Sequence, residues 1–443
     1  MSEVAARLDE LRRSGLQRKL RLIEGPQGPR VLLDGAEVLL LCSNNYLGLA
    51  DHPRVRQAAA DAAERWGAGA GASRLISGNL SLHRKLEDRL AEFKGAPAAL
   101  LFGSGYLANT GVIAALARKG DVVFSDELNH ASIIDGCRLA GAETFVYRHR
   151  DVEHLAWGLE KAGTRAALIA TDGIFSMDGD VAPLSWLLEL ARRHGARLLV
   201  DEAHAVGAYG PGGRGTIAAA GLEGEVDVVT GTLGKALGGY GAYAACKTAE
   251  MREVLVNTAR TEIFSTGLPP ACAAAAEAAL DVIDTEPRRV EAVQENAAVL
   301  RSALREAGVE IGGSRTQIVP VVVGDPAHAV VACARALDAG VFAQAIRPPT
   351  VPEGTSRLRL TVMATHRPGE LRAAARTIAG AVRAVSAEGE YALELDPEKL
   401  AARPGADVDV AEADPEGEIR ISARREAAAE AQAPPAVERT APA

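Results

Sequence analysis

Short apolar runs alternate with longer amphipathic stretches from about residue 50 onward. The runs are rich in Val, Leu and Ile, and they occupy residues 98–102, 122–124, 144–147, 166–170, 197–200, 226–229 and 241–245. Buried strands of a parallel sheet have this continuous apolar character, because helices cover both faces of such a sheet. The pattern therefore predicts an α/β fold, with a large and mostly parallel sheet in a domain that spans residues 51–285.

The first 50 residues are expected to form an N-terminal helix and small strands. Apolar side chains recur at helical spacing over residues 1–23 and predict an amphipathic helix there. They are Val4, Leu8, Leu11, Leu16 and Leu20. Two apolar runs, 31–33 and 38–41, flank the dipeptide Asp34-Gly35. An Asp-Gly pair between such runs is a strong hairpin signal, so a hairpin is predicted at this point.

The pattern changes again after Pro269-Pro270, where a long Ala-rich helical segment begins. Helical and strand patterns then alternate over residues 286–385 and predict a smaller α+β C-terminal domain. The last segment, 386–443, is rich in Pro and acidic residues and has Tyr391 as its sole aromatic residue. Such a segment buries too little apolar surface to offset its ordering entropy. It is predicted to be an acidic, disordered tail with a short helix near 424–432.

The negative charge of the chain is concentrated in this tail. The 443 residues carry a formal net charge of −9, and residues 386–443 hold 14 Asp and Glu against six Lys and Arg, which leaves −1 for the rest. A general nucleic-acid binder is disfavoured, because phosphate neutralisation needs a surplus of basic residues. Because residues 1–385 are nearly neutral overall, the site entrance can be locally basic and attract an anionic substrate.

Cysteine spacing and the N-terminus bear on the compartment. The five Cys are widely spaced without a CxxC pair, which is typical of reduced thiols and of neither a disulfide framework nor a zinc site. No metal is therefore expected. The N-terminus is charged throughout, and no stretch of about twenty apolar residues occurs. These features predict a cytoplasmic protein without a membrane partner.

An acidic motif ends one of the apolar runs. Leu198–Val200 leads into Asp201-Glu202-Ala203-His204, which places a carboxylate at the carboxyl end of a buried strand. Open α/β sheets bind ligands at that edge. The same four letters occur in the Walker B box of helicases, but Gly234-Lys235 is followed by Ala236 and lacks the rest of a Walker A loop. Asp201 on its own would be no more than a strand-end residue that caps the next helix.

A lysine follows the next apolar run. Lys235 lies in a Gly-rich turn after Val228–Thr232, and its ammonium group is costly to desolvate. Schiff-base formation with an aldehyde gives a reason for it, since partial desolvation lowers the pKa of a lysine and makes it nucleophilic. The cofactor pyridoxal 5'-phosphate (PLP) also needs an acidic partner for its pyridinium nitrogen. The pair of Lys235 and Asp201 favours PLP over a phosphate-loop or surface lysine.

Three weaker signals accompany this pair. Gly103-Ser104-Gly105, between a strand and a helix, can cradle a phosphate with its backbone N–H groups or can form an ordinary tight turn. A Rossmann fingerprint is disfavoured, because Ala108 stands where the third Gly is needed. His130 can stack on a flat cofactor or be an ordinary hydrogen-bonded residue. The polar segment 171–180 is typical of an Asp-rich turn, and its spacing does not match an EF-hand.

Nine stretches in this order make the chain similar to a known family. They are SNNYLGL (43–49), GASRLISGNLSLHRKLE (71–87), FGSGYLAN (102–109), DELNHASIIDG (126–136), TDGIFSMDGD (171–180), VDEAHAVGAYGPGGRG (200–215), TLGKALGG (232–239), FSTGLPP (264–270) and IRPPTVPEGTSRLRLT (346–361). The chain resembles the α-oxoamine synthases from about residue 15 to residue 385. These are fold-type I PLP-dependent transferases, which join an amino acid to an acyl thioester with loss of CO2.

The resemblance implies four residues at the reacting atoms of the cofactor. Lys235 would bind PLP as a Schiff base and shuttle the proton at Cα of the substrate. Asp201 would pair with the pyridinium nitrogen, His204 with the phenolic oxygen, and His130 would stack on the ring. Further cofactor contacts are implied for Gly105, Tyr106, Ser176 and Thr232, together with Ser265 or Thr266 contributed by a second subunit.

The resemblance also implies residues that bind the substrate. Arg347 would bind the amino-acid carboxylate, a bidentate task that suits a guanidinium group. Asn44 and Thr350 would contact the substrate or an intermediate. An N-terminal arginine is expected at the acyl-chain end, where the spacing to SNNYLGL favours Arg18 over Arg21.

The segment Arg347–Pro352 resembles the members of this family that condense L-alanine with a pimeloyl thioester on the pathway to biotin. The acyl donor would be pimeloyl-CoA or pimeloyl-acyl-carrier protein. Sister synthases that use glycine with acetyl-CoA, or serine with a long acyl-CoA, stay open as alternatives, and so does a catalytically silent partner subunit. The resemblance further implies a homodimer whose subunits share their active sites.

Overall fold

A seven-stranded sheet organises the chain in the computed structural model, which describes residues 3–13, 17–18 and 20–388. The strands within these residues are β1 (Ile23–Glu24), β2 (Arg30–Leu33), β3 (Ala36–Leu40), β4 (Ala98–Phe102), β5 (Val122–Asp126), β6 (Glu143–Tyr147), β7 (Ala167–Asp172), β8 (Arg197–Asp201), β9 (Val228–Thr232), β10 (Ala242–Cys246), β11 (Ile318–Gly324), β12 (Val341–Phe342), β13 (Gln344–Ile346) and β14 (Ser356–Thr361). The seven runs predicted as strands are thus β4 to β10.

Helices connect these strands and cover the sheet. They are α1 (Glu3–Arg13), α2 (Pro53–Trp66), α3 (Ser81–Lys94), α4 (Gly105–Leu116), α5 (Ala131–Ala140), α6 (Val152–Ala162), α7 (Leu184–His194), α8 (Thr216–Ala219), α9 (Ala249–Thr258), α10 (Arg260–Ile263), α11 (Pro270–Thr285), α12 (Arg288–Glu306), α13 (Pro326–Asp338) and α14 (Pro368–Glu388). The Ala-rich helix expected after Pro269-Pro270 is α11.

The order of strands in the large sheet is β4-β10-β9-β8-β7-β5-β6. β10 runs antiparallel to both of its neighbours, while β9, β8, β7, β5 and β6 are parallel to one another. β4 therefore has the same direction as β9, and six strands end at the same edge. The prediction of a large, mostly parallel sheet in an α/β fold is confirmed.

The interior strands of this sheet are buried on both faces, and most of their side chains are apolar. The strands β5, β7, β9 and β10 have no exposed residue. One cluster packs α4 and α5 onto the sheet, and it includes Val112, Ile113, Ile133, Leu168 and Leu199. Burying an aliphatic side chain of this size stabilises the folded state by about 1.5–3 kcal/mol. The strand ends therefore lie on a well-packed core.

Two smaller sheets flank this domain in the chain. β1, β2, β3 and β12 form a four-stranded sheet, and β11, β14 and β13 form a three-stranded one. The predicted hairpin is present between β2 and β3, where Asp34 and Gly35 adopt φ of 48° and 83°. Two successive positive φ values suit a two-residue turn with the twist of the strands.

The N-terminal helix is shorter than its sequence predicts. The pattern indicated a helix over 1–23, whereas α1 ends at Arg13, and Leu20 lies outside any helix with its side chain fully exposed. No residue of α1 is buried, so packing does not extend the helix.

Several expectations concern the tail and the compartment. The predicted disordered tail and its short helix lie outside the described residues, except that the backbone of α14 continues to Glu388. The domain boundaries after residues 50 and 285 remain a prediction. Among the described residues, no helix has the length and apolar character needed to cross a membrane, and no His, Cys, Asp and Glu cluster suits a metal ion. All five cysteines are free thiols.

Candidate active site

The carboxyl ends of six strands of the large sheet form one edge, and the lysine turn lies on it. The turn Leu233–Gly241 connects β9 to β10. The N–H of Leu233 donates to the carbonyl of Gly241 at 2.9 Å and closes this turn. Gly238 has φ of 67°, and a Cβ there would collide with the backbone of Leu49 and Ala50. The turn that carries Lys235 therefore packs directly against the SNNYLGL segment.

Asp201 ends the central strand β8 and is 5% exposed. Its Oδ1 accepts the N–H of Ala203 at 2.7 Å, and its Oδ2 accepts Nδ2 of Asn109 at 2.6 Å. Asp172 stands beside it, paired with it at the end of β7. Burial raises the pKa of Asp172 well above its usual range, and the charge of Asp201 adds to this rise. The edge thus holds one carboxylate with both oxygens fixed by donors.

Lys235 and His204 are in direct contact. Nζ of Lys235 lies 2.9 Å from Nε2 of His204, and Nδ1 of that ring lies 2.7 Å from the hydroxyl of Tyr46. Loss of solvation lowers the pKa of Lys235 to about 8, while Asp201 opposes this shift. Burial, followed by the charge of Lys235, lowers the pKa of His204 well below its usual range. A neutral imidazole therefore faces an amine that loses its proton readily.

His130 caps helix α5 at the same edge. Its backbone N–H donates to Oδ2 of Asp172 at 2.8 Å, and its Nδ1 lies 2.7 Å from Oγ of Ser132. The side chain is exposed, unlike those of Asp201 and His204. The exposed ring is therefore accessible to a flat ligand, as stacking on PLP requires.

The Gly-x-Gly segment forms the predicted strand-to-helix turn between β4 and α4. Ser104 caps α4, with its Oγ accepting the N–H of Leu107 at 3.3 Å. A Cβ built on Gly105 would lie 3.9 Å from Cβ of Thr232, and Oγ1 of that threonine accepts the N–H of Gly234 at 3.2 Å. Backbone donors at a helix N-terminus beside a threonine hydroxyl suit a phosphate group.

The donor set fits PLP. A deprotonatable amine, a buried carboxylate, a neutral imidazole and an open phosphate cradle meet at one edge of the sheet, and each matches one group of that cofactor. Tyr106 is 45% exposed, and its hydroxyl is bound to Asp135, so its contact with the phosphate remains a prediction.

A buried arginine near the lysine was missed by the sequence analysis. Arg359 in β14 is 6% exposed, and its guanidinium donates to the carbonyl of Ser176 at 2.5 Å and to Oδ1 of Asn44 at 3.4 Å. Its charge contributes to the lowered pKa of Lys235 and of His204. In the part of the chain that the structure describes, it has no acidic partner. A buried guanidinium in that situation is ready for a ligand carboxylate.

The remaining predicted substrate residues lie around the C-terminal sheet. Arg347 follows β13 and is half-buried, and Thr350 N–H donates to its carbonyl at 3.1 Å. Burial lowers the pKa of Arg347, and the positive charge of Arg18 adds to the effect. Arg21 is instead paired with Asp34 at 2.9 Å. This arrangement keeps Arg18 as the better candidate for the acyl end.

Ser265 and Thr266 lie on another segment. Thr266 forms an isolated bridge with Ser73, and the N–H of Gly267 donates to the carbonyl of Ala72 at 2.9 Å. Thr266 is exposed, and no hydrogen bond joins either side chain to Lys235 within the described ranges. Their contribution to a neighbouring subunit's site remains a prediction.

Four residues at the site were not selected from the sequence, namely Tyr46, Asn109, Ser132 and Arg359. All four stand inside motifs that identified the family, but nothing in their spacing shows what they touch. Asn109 faces Asp201 because it is one turn into α4, directly over the sheet edge. Arg359 lies in β14, and the sequence analysis singled out only Arg347 and Thr350 in that motif.

Comparison with known proteins agrees with this geometry. The family of class I and II aminotransferases matches residues 36–378. An 8-amino-7-oxononanoate synthase from Geobacter sulfurreducens is 53% identical over 379 residues, which are 85% of this chain and 97% of that protein. One from Anaeromyxobacter dehalogenans is 53% identical over 363 residues, 82% of this chain and 91% of that protein.

Solved structures give the same picture. A serine palmitoyltransferase from S. paucimobilis, solved with PLP-myriocin bound, has a TM-score of 0.82 and 34% identity, and the match covers 87% of this chain and 98% of that chain. An 8-amino-7-oxononanoate synthase from Francisella tularensis has a TM-score of 0.68 and 25% identity over 78% of this chain and 98% of that chain.

Proposed function

The chain belongs to the family of class I and II aminotransferases, and we propose that it is an α-oxoamine synthase that condenses L-alanine with a pimeloyl thioester. The products are 8-amino-7-oxononanoate, CO2 and the free thiol, in the reaction for which its relatives are named. The observation that carries this proposal is the 2.9 Å contact of Lys235 with His204 beside Asp201, in a chain that spans 97% of such a relative.

The cofactor of this reaction is PLP, which supplies an aldehyde for the amine and a ring that withdraws electrons from Cα of the amino acid. Lys235 binds the aldehyde and later accepts and returns the proton at Cα. Its pKa of about 8 leaves a useful fraction of free amine near neutral pH. Asp201, fixed by Asn109 and Ala203, holds a proton on the pyridine nitrogen. His204, held at Nδ1 by Tyr46, would lie beside the phenolic oxygen, and His130 would stack on the ring.

Three guanidinium groups, those of Arg347, Arg359 and Arg18, are inferred to bind the carboxylates of the substrates. The sequence assigned the alanine carboxylate to Arg347, and the buried position of Arg359 beside Asn44 supports a share for Arg359 in this task. Arg18, whose charge acts on Arg347, would bind the far carboxylate of the pimeloyl chain. Opposite charges in a partly dry cleft favour both contacts.

The proposed enzyme is a homodimer with shared active sites. Large apolar side chains are exposed beside the segments that carry Ser265 and Thr266: Ile76 is 79% exposed and Phe264 69%. Exposed apolar patches of this kind mark protein interfaces. The cytoplasmic location and the choice between coenzyme A and a carrier protein remain predictions.

The test is a panel of substrates with wild-type protein and Lys235→Ala. We expect thiol and CO2 release from L-alanine with pimeloyl-CoA or pimeloyl-acyl-carrier protein, and a visible absorbance from covalently held PLP. Lys235→Ala loses both signals, whereas Lys85→Ala, at an exposed lysine, keeps them. A variant without Lys235 that still turned over would contradict the proposal.

A second candidate is a sister synthase, because the serine palmitoyltransferase structure matches 87% of this chain. The same panel includes glycine with acetyl-CoA and serine with palmitoyl-CoA. Faster thiol release from one of these pairs would identify the sister activity. A colourless protein that does not bind PLP would instead indicate a silent partner subunit.

A further inference from the structure

One buried amide joins four elements at the edge of the large sheet. Asn109 in α4 is 1% exposed. Its Nδ2 donates to Oδ2 of Asp201 at 2.6 Å and to Oγ of Ser132 at 2.9 Å, and its Oδ1 accepts the hydroxyl of Thr230 at 2.7 Å. The amide therefore links α4, which follows the phosphate cradle, to β8, α5 and β9.

The direction of these hydrogen bonds follows from chemistry. The Asp201 carboxylate only accepts, so the amide nitrogen of Asn109 must face it. The second hydrogen of that nitrogen then points to Ser132, and the amide oxygen is left to accept from Thr230. An amide turned the other way would place two oxygens 2.6 Å apart, which no hydrogen bridges.

The same reasoning continues to His130. Ser132 is fully buried, and its Oγ already accepts from Asn109, so its own hydrogen is directed at Nδ1 of His130, 2.7 Å away. The backbone N–H of Ser132 also points to this nitrogen, at 3.3 Å. Two donors converge on Nδ1, which consequently carries no hydrogen, and the neutral ring keeps its hydrogen on Nε2.

We propose that Asn109 is a positioning residue that fixes both the carboxylate of Asp201 and, through Ser132, the tautomer and orientation of His130. One residue thereby sets the acid that faces the pyridine nitrogen and the ring that stacks on PLP. The role toward PLP rests on the proposed function, whereas the tautomer of His130 is a property of the chain itself. Second-layer hydrogen bonds commonly fix a histidine in this way.

The first experiment reads the tautomer directly. The full chain is labelled with 15N-histidine, and the ring nitrogens of His130 are identified by their loss in His130→Asn. Wild type is expected to show a protonated Nε2 and an unprotonated Nδ1. Ser132→Ala and Asn109→Ala are each expected to yield a mixture of tautomers. A hydrogen on Nδ1 in wild type, or a wild-type tautomer in Asn109→Ala, overturns the proposal.

A matched control separates positioning from a general loss of packing. Asn296 is also a buried asparagine, 5% exposed, and its Nδ2 donates to the carbonyls of Met363 and His366 at 2.9 and 3.0 Å, away from the lysine turn. Asn296→Ala is expected to leave the His130 tautomer as in wild type. The same change of tautomer in Asn296→Ala would overturn the assignment to Asn109.

The second experiment measures PLP affinity of the PLP-free chain. Asn109→Ala is expected to weaken it by about 10- to 100-fold, the range for a lost hydrogen bond to a charged group, because Asp201 loses its donor. Ser132→Ala leaves that donor in place and is expected to have a smaller effect. Equal affinities of wild type and Asn109→Ala overturn the PLP part of the proposal. Wild-type protein that binds no PLP would overturn the proposed function instead, and the tautomer would then decide the role of Asn109 alone.

Discussion

The amine of Lys235 is a nucleophile only after it has lost a proton, and its surroundings decide at which pH that happens. Loss of solvation lowers its pKa from 10.5 to about 8. We therefore expect the rate at which PLP-free protein captures PLP to rise with pH, with a midpoint near 8 and a plateau above it. Stopped-flow absorbance over pH 6–10.5, roughly centred on that pKa, measures this profile.

Charge variants check the physical cause of this shift. Because the charge of Arg359 helps to lower the pKa of Lys235, Arg359→Gln should move the midpoint to higher pH. Arg84→Gln, at an exposed arginine paired with Asp88, should leave it in place. A wild-type midpoint close to 10.5 would show that the cleft does not desolvate the amine.

The two guanidinium groups proposed for the alanine carboxylate, those of Arg347 and Arg359, can be compared by replacing each with lysine. Lysine keeps the charge but loses the planar fork that binds a carboxylate through two hydrogen bonds. Arg359→Lys is expected to raise KM for L-alanine by about 10-fold or more, because Arg359 is buried beside Asn44. Arg347→Lys should raise it less. If steady-state kinetics showed a larger increase in KM for Arg347→Lys than for Arg359→Lys, Arg347 would be the main ligand of the alanine carboxylate.

At the scale of single residues, the sequence identified the site residues whose place at the end of a strand or in a turn indicates their role. Asp201 ends an apolar run, and Lys235 lies in a Gly-rich turn, so the chain topology brings both to one edge. Arg359 escaped because an arginine inside a strand is consistent with a solvent-facing side chain. Which way it points depends on the pairing of β14 with β11 and β13, which is a long-range property.

At the scale of elements, a histidine holds the loop between β7 and α7. Nδ1 and Nε2 of His149 lie 2.9 and 2.8 Å from Asp126 and Asp180, respectively, and the ring meets Phe175 edge-on. Burial alone lowers the pKa of His149, but the hydrogen bonds to the two aspartates outweigh it and raise the pKa to about 9. The charged ring thus fastens β5 to the loop that contains Ser176.

This contact predicts a specific dependence of stability on pH. A folded-state pKa above the ordinary 6.5 means that the contribution of His149 is complete below about pH 6.5 and disappears as pH rises through 9. His149→Gln should therefore lower the free energy of unfolding by about 2 kcal/mol at pH 6, and by much less at pH 10. Urea unfolding at both values measures the difference. An equal loss at both would show that packing, not charge, is responsible.

Elements were predicted well where the pattern is strong, and poorly where packing decides. The strands β4 to β10 follow continuous apolar runs, which the large sheet buries on both faces. The first helix was predicted too long because an apolar stripe was assumed to pack, whereas α1 buries nothing. The boundary of a helix that lacks tertiary contacts depends on local breakers more than on periodicity.

At the scale of the whole molecule, the proposed chemistry belongs to the part of the chain before the acidic tail. The family match ends at residue 378, and the described site residues all precede it. A chain that ends at residue 393 is expected to bind PLP, turn over and melt as the full chain does, while eluting earlier from an anion exchanger. Kinetics and thermal unfolding of the two chains check this. A drop of kcat/KM by more than about 10-fold would give the tail a functional role.

The close approach of Gly238 to Leu49 and Ala50 has a consequence for recombination between relatives. A Cβ at Gly238 would strike that backbone, and one at Gly207 would come within 2.8 Å of Ala236. The lysine turn and the SNNYLGL segment, nearly 190 residues apart in the chain, therefore have complementary surfaces in close contact. A chimera that takes only the lysine turn, or only the SNNYLGL segment, from a distant relative would bring together two surfaces that do not pack well. Exchanging both segments together would keep their packing.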